Sequence, residues 1–316
     1  MSSSRKLERD FVRADIAAVG ALLSQLDDED VMARFGLEAR LEELQATISE
    51  LDKLPIETSA SASLFFGGRP VVGTRGIESE FAGAAVAKFQ DLVAKVFAYE
   101  TGNLGQRGVV PRKASATLHI TNIVRGSFGF LLEEIEPQAQ IVDSSLKIAV
   151  DEASRLLDAF GEPDEEEFRT AVETIDQRLL ATTREFFDLM RHSGATMRLL
   201  AGETDRSFGA EAVARASERA KSTTVEEFDD SVVGQLAGVL PEAHQFEFRA
   251  GQERGVLRGK IDKTYTSNQL ALFNRDWVNV TAQADFRVKR VLSNGAIVRE
   301  KYTLVSIGHE KKSISE

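Results

Sequence analysis

Arginines in loops are the groups of this 316-residue chain best suited to ligand chemistry. Arg69, Arg75 and Arg125, with Ser127 beside the last, would together hold an anion, because guanidinium groups donate paired hydrogen bonds to a phosphate or carboxylate. The stretch Arg125-Gly126-Ser127-Phe128-Gly129 also reads as a plain bend, since Gly126 supplies a positive φ without steric cost where two apolar runs of opposite direction must join. The turn reading outweighs the anion loop. Gly129 would then mark a bulge or a close approach by a covering helix.

A second set of cations lies toward the C-terminus. Arg254, Arg258, Lys260, Arg287, Lys289 and Arg290 are spread over strand-like runs, with Tyr265, Phe273 and Trp277 among them. Cations interleaved with stacking rings are what binders of single-stranded nucleic acid use, so these six are candidates for contact with nucleic acid or with a protein partner. The structural account weighs more. Strands that face water need polar residues at alternate positions, aromatic rings fill small barrel cores, and a pI near 5.1 is far from the basic balance of a dedicated nucleic-acid protein.

Catalysis finds less support. The chain has no GxxxxGK[ST] loop, no GxGxxG, no HExxH and no GxSxG. With no cysteine there can be no disulfide, thiolate metal site or cysteine nucleophile, and the four histidines stand apart from one another. Glu133 and Glu134 are neighbours on a strand, where adjacent side chains point to opposite faces and cannot work as an acid/base pair. The expectation is a non-catalytic protein needing no metal and no cofactor, with a nucleic-acid-binding subunit as the alternative and an anion-binding enzyme third.

The formal charge of −11 is unevenly spread. Residues 232–312 hold 13 Lys and Arg against 8 Asp and Glu, whereas residues 1–231 hold 26 against 41. Such asymmetry points either to polyanion binding by the basic part or to its docking on the acidic body. No apolar run approaches the roughly 18 residues of a membrane span, and no apolar signal core follows the first residues. A cytoplasmic protein without membrane contact is expected.

The elements that must position these groups are read from periodicity. Residues 1–54 form two helices, with Leu37, Leu41, Leu44, Ile48 and Leu51 on one stripe of the second and Leu7, Phe11, Ala14, Ala18, Leu22 and Leu26 on the first. They make an antiparallel hairpin ended by Pro55, whose stripes are buried on the protein's own core or against another copy through residues 5–52. Residues 55–228 read as an α+β core. A β-β-α-β-β order, with a hairpin from Ser63 to Val72 and a helix after Ser79, is followed by helices throughout 138–228, and "STTVEEFDD" serves as the hinge to the last domain. Residues 229–312 carry five short strands, the last two joined by Asn294-Gly295, and a helical or irregular insertion from Ser267 to Arg275. Five such strands suggest a small SH3-like or OB-like barrel, completing an α+β fold.

Overall fold

The computed structural model describes residues 3–27, 30–54, 58–102, 104–105, 108–124, 128–135, 142–172, 175–251 and 254–309. Among them the fold is α+β, with antiparallel sheets and a closed five-stranded barrel near the C-terminus. Two compact units divide the chain: Met1–Glu165 with Ala181–Ala220, and Glu166–Leu180 with Lys221–Glu316.

The first unit opens with the helices α1 (Ser3–Gln25) and α2 (Val31–Lys53). Arg9 pairs with Asp52 at 3.0 Å and Arg40 with Asp15 at 3.9 Å, so the helices run antiparallel. The α2 stripe from Leu37 to Leu51 is half-buried or buried along its length, as its spacing requires. On α1 the half-buried apolar side chains are Val12, Ile16, Val19 and Leu23, a stripe about 100° round the helix from the expected one, and Leu26 of the expected stripe is half-buried just past the end of the helix. Of the expected stripe, Leu7 is buried against Phe65 and Leu200, while Phe11, Ala14, Ala18 and Leu22 face solvent. A helix with two apolar stripes gives periodicity no means of choosing between them.

Five strands follow in spatial order β4-β5-β1-β6-β7: β1 (Ser61–Gly68), β4 (His119–Val124), β5 (Phe128–Glu133), β6 (Ala195–Ala201) and β7 (Thr204–Phe208). The central β1 is buried at every position from Ser61 to Phe66 and pairs antiparallel with β5 and β6. It does not form a hairpin with Val71–Val72 (β2), which pairs instead with Gly76–Ile77 (β3). Helix α3 (Ser79–Glu100) buries Phe81, Ala85, Phe89, Leu92 and Val96, and α4 (Ser145–Gly161), capped by Ser144, buries Leu146, Val150, Ala153, Leu157 and Phe160. Phe81 meets Phe66 edge to face at 5.3 Å, which holds α3 on the sheet.

The stretch 138–228 is therefore not helical throughout. α5 (Glu165–Val172), α6 (Gln177–His192) and α7 (Ala210–Ser222) are interrupted by β6 and β7, whose Met, Arg, Leu and Ala letters suit a helix but whose backbone groups are taken by β1. Gly202-Glu203 joins the paired Ala201 and Thr204, a two-residue hairpin with glycine first that could have revealed them. At Gly129 the neighbour requiring space is the Phe65 ring, 2.4 Å from where a Cβ would stand, and not a helix.

Charges tie α1 to this sheet. Arg198 donates to Asp205 at 2.9 and 3.0 Å, Lys6 reaches Asp205 at 3.3 Å, and Asp10 lies 3.7 Å from Arg198. Hydrogen bonds from Arg198 hold the Asp205 carboxyl below its ordinary range, with Lys6 adding to the shift. A lowered carboxylate stabilises the fold above its unfolded pKa of about 3.9 and loses that contribution as the pH falls through the folded value. Asp205→Asn is expected to cost on the order of 1 kcal/mol at neutral pH, the pair being partly exposed. Urea unfolding at pH 7 and again below about pH 3 checks this, because parent and variant should converge in acid.

The second unit contains β8 (Thr223–Leu240), β9 (Gln245–Arg249), β10 (Val256–Ile261), α8 (Ser267–Trp277), β11 (Thr281–Ser293) and β12 (Ala296–Gly308). The five strands close in the order β10-β12-β11-β8-β9. Asn294 and Gly295 both take positive φ between the paired Ser293 and Ala296, the two-residue turn their letters announce. The barrel is filled by Leu236, Phe246, Phe248, Leu270, Phe286 and Leu304. Its first strand begins at Thr223, so "STTVEEFDD" is no hinge: Thr223–Asp230 pairs residue by residue with Phe286–Ser293 of β11.

Candidate interaction sites

The expected anion site is only partly described. Arg125 and Ser127 lie outside the described residues, as does Pro55. Arg69 donates its guanidinium to the His192 carbonyl at 3.0 Å and its backbone N–H to the Gly194 carbonyl, which fastens the end of β1 to the start of β6. Arg75 is exposed in the turn between β2 and β3, its N–H donating to the Val72 carbonyl.

The six C-terminal candidates are placed on or beside the barrel, and acidic residues accompany them. Arg254 pairs with Asp230 at 2.5 Å, Arg258 with Glu247 at 2.6 Å and Arg290 with Glu300 at 2.6 Å. Arg287 stands 4.0 Å from Asp262, Lys260 reaches the Ala243 carbonyl at 3.4 Å, and burial depresses the Lys289 pKa, opposed by Asp176 and Glu227. Glu226, Glu227, Asp229 and Asp230 all lie on β8. Counted over its strands, residues 223–308, the barrel holds 11 Lys and Arg against 11 Asp and Glu. The positive excess of residues 232–312 is thus balanced within the barrel by its own first strand.

The aromatic residues have structural work as well. Tyr265, Phe273 and Trp277 pack against the barrel core, Tyr265 and Phe273 edge to face at 5.1 Å, and the Tyr265 hydroxyl donates to the Val305 carbonyl. Tyr302 donates to Glu300 at 2.9 Å, and burial together with that bond pushes its pKa up to about 12. A phenol so firmly protonated is a fixed donor and a poor acid or base near neutral pH. Among the described residues no three His, Cys, Asp or Glu side chains are grouped to hold a metal ion, and no helix is long and apolar enough to cross a membrane.

One concave surface does form around these cations. A cavity of about 620 Å³ is lined by Arg258, Lys260, Arg299 and Lys301 and by Phe246 and Tyr302. It adjoins the seam where β10 and β12 run parallel, a ladder of three residue pairs from Gly259↔Tyr302 to Ile261↔Leu304. Arg299 and Lys301 belong to this surface, although the sequence pattern marks them no differently from other strand cations.

The other unmatched surface is apolar and lies on α1 and α2. From Phe11 to Glu42 no described residue is buried. Phe11 is 56% exposed, Leu22 52%, Val31 65%, Met32 84% and Phe35 70%, and the eleven residues from Ile16 to Leu26 carry no charge. Comparison with protein-family models, with curated proteins and with solved structures finds no match to this chain.

Proposed function

We propose that the chain is a non-catalytic, cytoplasmic assembly protein that self-associates through its N-terminal hairpin and carries a barrel that contacts a partner. The observation that carries this reading is the second apolar stripe of α1. Leu7 is covered by Phe65 and Leu200, and the same line continues through Phe11, Ala18 and Leu22 into solvent. A helix apolar on two sides needs neighbours on two sides, and α2 covers one.

A second copy suits the open side. A chain of net charge −11 repels itself over most of its surface, but an uncharged run adds nothing to that repulsion. The five exposed side chains offer roughly 600 Å² of apolar surface, close to the 800 Å² or so that each partner contributes to an ordinary stable interface. Two hairpins packed about a twofold axis give a four-helix bundle with every stripe covered.

Sedimentation equilibrium of the full chain between about 1 and 100 μM tests this, since self-association depends on concentration. A mass of twice 34.7 kDa that falls on dilution is the expected result. A mass of 34.7 kDa at every concentration would remove the reading.

A further inference from the structure

We infer that the edge strand β4 docks on β4 of a second copy, the two strands pairing antiparallel about a twofold axis. The inference goes beyond self-association through the hairpin and rests on different residues. β4 stands at one end of the sheet order β4-β5-β1-β6-β7. Among the described residues it pairs with β5 alone, and the backbone of His119–Val124 makes no hydrogen bond outside that pairing. Its outer edge therefore presents a row of unused N–H and C=O groups. Sheet proteins blunt such edges with lysine, proline or an inward-pointing charge. β4 has none of them, since the eleven residues from Ala114 to Val124 include no Lys, Arg, Asp, Glu or Pro. All the residues from His119 to Ile123 are exposed, Ile120 at 53% and Ile123 at 54%.

A bulge decides which of these side chains share a face. Ile120 pairs with Leu132 and Asn122 with Leu131, so Thr121 is an extra residue on β4. Ile123 pairs with Phe130, which lies two positions from Leu132 and on the same face. Three apart, Ile120 and Ile123 would point to opposite faces of a regular strand. The bulge turns both to the side on which Phe66, a neighbour of Phe130, meets Phe81 of α3. Thr121 donates to Glu133 at 2.5 Å and Asn122 stands opposite Leu131, so these two lie on the other face. From Ile120 to Ile123 the pattern is apolar, polar, polar, apolar, with the faces changing in the same order from either end.

That symmetry selects the occupant. Residues directly opposite in an antiparallel pair share a face, and a twofold axis perpendicular to the sheet keeps the α3 side of both copies together. With the axis between Thr121 and Asn122, Ile120 lies opposite Ile123 of the second copy, and Thr121 opposite Asn122 of the second copy. Apolar side chains meet on one face, and hydroxyl meets amide on the other. Without the bulge this register would oppose side chains of different faces. A chain of net charge −11 repels its copy, and an uncharged edge is where that repulsion is least. Six residues a side make a contact smaller than a standard interface, so the pairing is transient and weaker than that of the hairpin. Two different twofold contacts on one chain close into a symmetric particle where their axes meet and otherwise continue as an open row.

The test links the two edges covalently, which a chain without native cysteine allows. Full chains carrying Met32→Asp and Phe35→Asp, so that the hairpin patch does not bring copies together, are prepared with either Thr121→Cys or Asn122→Cys. The two are mixed in a buffer of oxidised and reduced glutathione. Residues directly opposite on antiparallel strands stand about 4.5 to 5.5 Å apart at Cα, a span that a disulfide bridges. The mixed disulfide is expected to form at least about tenfold faster than one between Thr121→Cys and Glu211→Cys, Glu211 being exposed on α7. Ile123→Lys in both chains should return the rate to that of this control, because a lysine on the edge opposes pairing. Circular dichroism should stay unchanged, the position being exposed. Equal rates for the two pairs, or an undiminished rate with Ile123→Lys, would overturn the proposal. Binding of a neutral peptide alternating Thr and Val, lost with Ile123→Lys and without linkage between copies, would assign the edge to a strand of another protein instead. Dimerisation through the hairpin has no bearing on these outcomes, because every chain in the mixture lacks Met32 and Phe35.

Discussion

A chain carrying Met32→Asp and Phe35→Asp will sediment as a monomer at concentrations where the parent is a dimer, while its thermal unfolding is unchanged. Both side chains are largely exposed within one copy, at 84% and 70%, so replacing them should cost the folded monomer little. In a twofold interface each residue counts twice. Burying a Met or Phe side chain is worth about 1.5 to 3 kcal/mol, and an aspartate in its place adds the cost of desolvating a charge. After allowance for incomplete burial, the dissociation constant should rise at least about 100-fold, a shift of roughly 3 kcal/mol. The same mass-to-concentration profile for variant and parent would show that this end of the hairpin is not the contact. A variant that unfolds can be recognised by circular dichroism, and Leu22→Ser on α1 then repeats the test with a milder change.

Phe286→Ala should have the largest effect on stability. Phe286 is fully buried in the barrel and its ring meets three others: Phe246 stacked at 5.2 Å, Phe248 edge to face at 5.5 Å and Tyr302 edge to face at 6.0 Å. Removing it leaves a cavity that the surrounding strands cannot close without breaking their pairings with β11, so the expected cost is about 3 to 5 kcal/mol. Trp277 is the single tryptophan of the chain and packs against the barrel core from α8, which makes its fluorescence a reporter of this unit. Denaturant unfolding followed at that residue should show a much lower midpoint. Ile297→Ala, at an exposed position of β12, should change it by less than about 0.5 kcal/mol. A loss below about 1 kcal/mol for Phe286→Ala would mean that the rings do not pack as described.

Much of the architecture was legible before the coordinates. The stripe of α2, the helix that follows Ser79, the five barrel strands and the Asn294-Gly295 turn are all expected from the sequence and all present. The candidate surfaces were less so. Arg258 and Lys260 stand among the candidate cations of the barrel strands, and Arg299 and Lys301, strand cations of the same appearance, are brought beside them by the register of β12 on β10. The acidic run taken for a hinge belongs to β8, and the positive excess disappears because its four carboxylates, Glu226 to Asp230, lie just before residue 232, where that count begins.

The sequence by itself determined what depends on near neighbours: helical and strand periods, caps and turns, because each is settled by side chains a few residues apart. Tertiary structure decided which of the two stripes of α1 meets α2, why Ala195–Ala201 became a strand and where the barrel seam opens. Each of those depends on partners far along the chain, Leu7 with Leu200, β1 with β6 and Gly259 with Tyr302, and sums of distant packing and pairing energies leave no local period to read.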